Sequence, residues 1–154
     1  MKDNIVLGSI AGAIGGAIGI ILSYSLFRLG ISPISSINVA ASLVVIDILN
    51  LTPTGVIFSL ITHFTIASLF GILLLYILKF FGKEYWALKG IMFGALFCLL
   101  MHSYLIPLMR TDLQVRSLFF NTPSWGTILA THSLIGLVDS VIIVKYFFNK
   151  EAAS

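Results

Sequence analysis

Charge is scarce in this sequence. Asp, Glu, Lys and Arg together make up 10% of the 154 residues, and the mean hydropathy is +1.07. Soluble globular domains carry about 25% charged residues, so that class is excluded and an integral membrane protein is indicated. Cysteine is almost absent. Cys98 stands alone, which rules out an intramolecular disulfide, a CxxC metal knuckle and a dithiol redox pair. The local signatures of several enzyme classes are missing as well: there is no GxxxxGK[ST], no GxGxxG after a strand, no GxSxG elbow and no HExxH. His63, Cys98 and Ser133 form no recognisable nucleophile triad. The basic excess is small, at +3. In a membrane chain it reports orientation more than affinity for polyanions, so no nucleic-acid partner is expected.

What the sequence has in quantity is long apolar runs. A spanning helix needs about 20 such residues, and four segments qualify: about 5–29, 54–81, 86–109 and 125–148. The first is longer than the apolar core of a signal peptide and reads as a retained helix. Between the first and second runs, Pro33, Ser35, Ser36 and Asn38 interrupt the chain, and the apolar stretch that follows is too short to cross. It is expected to form an interfacial or re-entrant helix over about 36–50, with Ser35 or Ser36 as N-cap and Pro53 marking its end. The predicted fold is therefore all-α: a transmembrane four-helix bundle, residues 1–154 forming one domain, with a short helix at its mouth. Trp86, Trp125 and Tyr146 fall near helix ends, where amphipathic rings favour the headgroup level.

Small residues suggest how the helices meet. Gly8, Gly12 and Gly16 recur every fourth residue in the first helix, and Gly15 and Gly19 repeat that spacing on an adjacent stripe. Such faces let backbones approach closely. Orientation follows from charge. Lys2, Lys79, Lys83, Lys89, Lys145 and Lys150 fall on the side of both termini and the 82–85 turn, against Arg28, Arg110 and Arg116 on the other. The imbalance predicts cytoplasmic termini.

The residues that stand out chemically are the histidines. The chain has three, each inside a different apolar run: His63, His102 and His132. Counting inward from Pro53, Arg110 and Ser124 at 1.5 Å per residue places them roughly 15, 12 and 12 Å below the outer side. They therefore share one layer. Imidazole is the commonest side-chain metal ligand, and three facing rings can hold a transition metal with a position left open. A metal ion is the preferred cofactor, with zinc first. Haem is the alternative, two rings serving as axial ligands and the glycines of the first helix clearing room for the macrocycle.

Asp47 is a candidate further ligand or a supporting carboxylate, and Cys98, one turn from His102, a candidate ligand. Thr62 and Thr131, each preceding a histidine, are candidates for holding a neighbouring ring nitrogen. Asp139 follows His132 by two turns, too far to ligate the same ion but placed to relay protons inward. Two other readings stand beside the metal site. One is a transport or proton-responsive protein whose histidines titrate. The other is a structural subunit that docks a second copy or a membrane partner through its glycine faces.

Helices two to four resemble the YagU-like bacterial inner-membrane proteins. The resemblance is carried by Thr62-His63, by Gly90-x-x-x-Gly94-Ala95-Leu96 leading to His102, by Pro107-Leu108-Met109, and by a histidine early in the fourth helix. The Gly8 to Gly12 stretch is similar too. It implies a small multi-helix inner-membrane protein with His63, His102 and His132 on the family's histidine positions. Gly90 and Gly94 are expected on a packing face. The resemblance implies no particular reaction, and the segment carrying Asp47 departs from the family's pattern.

Overall fold

A computed structural model describes residues 3–44, 50–109 and 122–148. Among them there is no strand, and four helices are long and apolar enough to cross a membrane. The first, α1, spans Asn4–Arg28, begun by the Asp3 carboxylate accepting from the backbone N–H groups of Ile5 and Val6. The short helix α2 spans Ser36–Ala41. Ser35 is its N-cap in a capping box with Asn38. The Ser42 hydroxyl donates to the Val39 carbonyl at 2.6 Å and backbone turns follow, so among the described residues the helix expected over about 36–50 ends at Ala41; residues 45–49 lie outside them. Helix α3 spans Pro53–Phe81. Thr52 caps it by accepting from the Gly55 N–H at 3.1 Å, and Pro53 occupies the first turn, where a missing N–H is harmless.

Gly82 and Tyr85, both at positive φ, reverse the chain into α4, Trp86–Leu100. Lys89 then donates to the carbonyls of Phe81 and Gly82 at 2.8 and 2.9 Å, placing a cation on the C-terminal end of α3. Helix α4 does not continue unbroken to Met109. Residues Met101–Leu105 form a π turn, with the Ile106 N–H bonded back to the Met101 carbonyl, before the short α5, Ile106–Met109. Pro107 supplies the cause: it has no N–H to give the Ser103 carbonyl, and its ring crowds the preceding turn. The last helix, α6, spans Thr122–Ile143 and passes into a second π turn, Val144–Phe148.

The bundle consists of two tightly joined pairs, α1 with α3 and α4 with α6. In the first pair a Cβ on Gly12 would collide with the Ala67 carbonyl, and one on Gly71 with the Gly8 carbonyl. In the second, a Cβ on Gly90 would meet the Gly136 carbonyl and one on Gly94 the His132 carbonyl. The two stripes of α1 have separate partners. Gly8, Gly12 and Gly16 face α3, whereas Gly15 and Gly19 face Asp139 and Ile135 of α6. Helices α3 and α4 touch far less closely although the turn joins them. Phe70 fills that seam, stacked on Phe93 at 4.8 Å and edge-on to Phe97 at 5.0 Å.

Only 22–39% of each helix's apolar window is buried, so most of the apolar surface, including Ile10, Ile21, Phe58, Ile61, Leu69 and Met92, faces outward. Such a surface is unsuited to water and suited to lipid tails. The chain is an integral membrane protein.

We expect Gly12→Val to lower stability by about 1–3 kcal/mol, because the added carbons must displace backbone. Gly126→Ala, where nothing lies within 4 Å, is the control. Unfolding of the two variants in bicelles checks this, and equal stability would contradict the packing.

Candidate functional site

The pairs enclose a cavity of about 90 Å³ between them, on the Arg28 side of the bundle. That is room for several water molecules. Its inner end is closed by Phe70, Phe97 and Ile135, and its outer end by the stretch that carries Ser32, Ser35, Ser36 and α2. This re-entrant cover is fastened on two sides. Ser36 donates its N–H to the Ser23 hydroxyl of α1 at 2.5 Å, with the two hydroxyls 2.7 Å apart. From α6, the Thr127 hydroxyl donates to that of Ser32 at 3.3 Å.

All three histidines line this cavity, each from its own helix. The layer expected from residue counting is present. His102 belongs to the π turn and is buried, and its ring meets that of His132 edge to face at 5.4 Å. Trp125 lies against His102 at 6.1 Å between ring centres. His63 reaches across from α3 to α1, its Nε2 3.1 Å from the Gly16 carbonyl. A Cβ at Gly16 would collide with that of Ala67 and come into van der Waals contact with the ring, 3.4 Å from Nε2.

The hydrogen bonds assign the tautomers. A carbonyl only accepts, so the nitrogen facing it carries the proton. His102 Nδ1 donates to the Cys98 carbonyl at 3.0 Å, and His132 Nδ1 donates to the Ile128 carbonyl at 2.9 Å. In both rings Nε2 is then the lone-pair nitrogen, whereas in His63 it is Nδ1.

As the side chains are placed, the described residues contain no group of three or more His, Cys, Asp or Glu side chains able to hold a metal ion. His102 and His132 make an adjacent pair, while His63 spends its Nε2–H on Gly16. Cys98 is fully buried one turn from His102, as the spacing implies, yet it is not part of the cavity wall; its Sγ sits 3.8 Å from the Nδ1 already bonded to the Cys98 carbonyl. Thr131 lines the cavity, but its hydroxyl donates to its own helix at Thr127 at 2.7 Å and holds no ring. Thr62 is half-buried on α3. Asp47 lies outside the described residues.

The slot suggested for a haem is filled: Ala67, Gly71, Ile135 and Asp139 occupy the glycine faces of α1. Asp139 is fully buried one turn inward of Ile135, outside the histidine layer as its spacing indicates.

Three contributors were not singled out in the sequence. They are the Ser23–Ser36 fastening, the Thr127–Ser32 contact and the π turn that carries His102. The serine density at 32–36 and Pro107 were the available signals. No family model, no curated protein and no solved structure matches the chain. The resemblance to YagU-like proteins therefore rests on the sequence motifs alone.

With its sulfur sealed behind the cavity wall, Cys98 is expected to resist a membrane-permeant maleimide in the folded protein and to react after denaturation. Equal labelling before and after would contradict the described packing of α4.

Proposed function

We propose that this chain is a multi-pass protein of a bacterial inner membrane, akin to the YagU-like proteins, with both termini cytoplasmic, whose cavity is the outer station of a proton path across the membrane. One observation carries the reading: among the described residues no Asp, Glu, Lys or Arg lines the cavity, and its three histidines come from three different helices. Imidazole titrates nearer neutral pH than any other common side chain, and the neutral ring holds a donor on one nitrogen and an acceptor on the other. Each ring here anchors its N–H on a backbone carbonyl, so the second nitrogen carries the lone pair that can receive a proton. The excess of lysine on the side of the termini supports the orientation.

Proteoliposomes with an internal pH-sensitive dye test this proposal. The protein is expected to carry protons across the membrane under an imposed potential. Replacing His63, His102 and His132 together by Gln should slow that flux by about a hundredfold, the scale of a positioned proton-transfer group. Flux equal to the unsubstituted protein, with helicity and melting preserved, would contradict it.

One geometric feature favours a second reading, a transition metal with zinc first. His102 and His132 lie edge to face at 5.4 Å, and each anchors Nδ1–H on a carbonyl, as metal-binding imidazoles commonly do. His63 would join them only by leaving Gly16. On this reading His102→Ala lowers the metal content of purified protein at least about tenfold. Unchanged metal content would count against it.

A further inference from the structure

Asp139 is a titratable group outside the histidine cavity. It lies on α6 one turn inward of Ile135, and Ile135 closes the cavity's inner end. Its side chain is fully buried, and neither carboxyl oxygen has a hydrogen-bond partner. Oδ1 lies against Gly15 of α1, where any side chain would collide with it. On the next residue, Gly16, the His63 ring approaches the same backbone from α3. The bare Gly15–Gly16 pair is thus flanked by His63 and Asp139.

The other titratable groups on the packed elements are accounted for. Helix α1 offers Asp3, Tyr24 and Arg28, all near its ends. Helix α3 offers Tyr76 and Lys79 toward its inner end besides His63. Helix α4 offers Lys89, bonded to the carbonyls of Phe81 and Gly82, and the buried Cys98, with His102 beyond it in the π turn. On α6 itself, His132 faces the cavity, and Lys145 and Tyr146 lie in the terminal π turn. No described cation is bonded to Asp139. A carboxylate without a hydrogen-bond partner from the protein is among the costliest groups to bury, whereas a carboxylic acid is tolerated.

We infer that Asp139 is a carboxylic acid within the membrane that exchanges its proton with the histidine-lined cavity past the Gly15–Gly16 backbone, with Ile135 as the barrier between them. In the exchange the Asp139 O–H bond breaks, the proton passes to water or an imidazole nitrogen in the cavity, and a proton returned from the cavity restores the acid. The inference rests on the proton reading of the cavity and extends it by one station toward the cytoplasmic side.

Infrared spectroscopy of the full chain in lipid bilayers tests it. A carboxylic-acid carbonyl band is expected at neutral pH, absent from Asp139→Asn, and shifting on transfer to D2O as deuterium replaces the proton. Carbon-13 labelling of aspartate carboxyls checks that the band belongs to aspartate in the unsubstituted protein. Ile135→Ala is expected to speed the deuterium shift severalfold. Absence of any acid band that depends on Asp139, or an exchange rate unmoved by Ile135→Ala, would overturn the inference. The band is read without any flux, so the two proposals fail separately. A histidine-independent flux with the Asp139 band and its Ile135 dependence intact sinks the histidine reading alone, and a missing band beside a histidine-dependent flux sinks this one alone.

Discussion

The close approach of backbones across glycine is the constraint on which this structure depends. Between lipid-exposed helices no hydrophobic effect distinguishes a neighbouring helix from an acyl chain, so contact area and packing must supply the association. Gly12 on Ala67 and Gly71 on Gly8 bring α1 and α3 into that contact, and Gly90 and Gly94 do the same for α4 against Gly136 and His132 of α6. The remaining stripe of α1, Gly15 and Gly19, then receives Asp139 and Ile135 and joins the pairs. With two pairs so tightly welded, the looser space between them becomes the cavity. Its polar lining follows from that architecture: His63 reaches the carbonyl of Gly16 on the stripe that packs against α3, and His132 belongs to the segment on which Gly94 packs.

A second constraint is the demand of backbone groups for partners inside the membrane. Pro107 removes one donor, and the helix answers by widening into the π turn that presents His102 to the cavity. The re-entrant stretch meets the same demand with serine and asparagine side chains. Ser35 and Asn38 cap α2, Ser42 ends it, and Ser23 receives the Ser36 N–H. Polar residues that looked like chain breakers in the sequence are what allow non-helical backbone to sit over the cavity at the bundle's mouth.

Much of the fold was legible because a bilayer writes its thickness into the sequence. Runs of apolar residues locate the four helices, and the spacing of Gly8, Gly12 and Gly16 identifies a contact face. The shared depth of His63, His102 and His132 could be counted from the ends of the spans. Rotation about each helix axis was not legible in the same way. These helices are apolar on every side, so the period that tells core from water in a soluble helix is missing. That is why a three-imidazole metal centre could be expected from depth alone, while the side chains form instead a pair, His102 with His132, and a third ring turned to Gly16. Cys98 shows the same limit, sharing a helix face with His102 yet standing outside the cavity wall. The partnership of Asp139 with Gly15 crosses between distant helices, and no local pattern announces it.

Everything functional in this account follows from the three rings sharing one cavity in a fixed set of tautomers. Solid-state NMR of protein labelled with carbon-13 and nitrogen-15 at histidine, in lipid bilayers near neutral pH, measures that directly. Ring-to-ring cross-peaks are expected between His102 and His132, with protonated Nδ1 in both and protonated Nε2 in His63. Absent cross-peaks between those two rings, or the opposite tautomers, would contradict that arrangement.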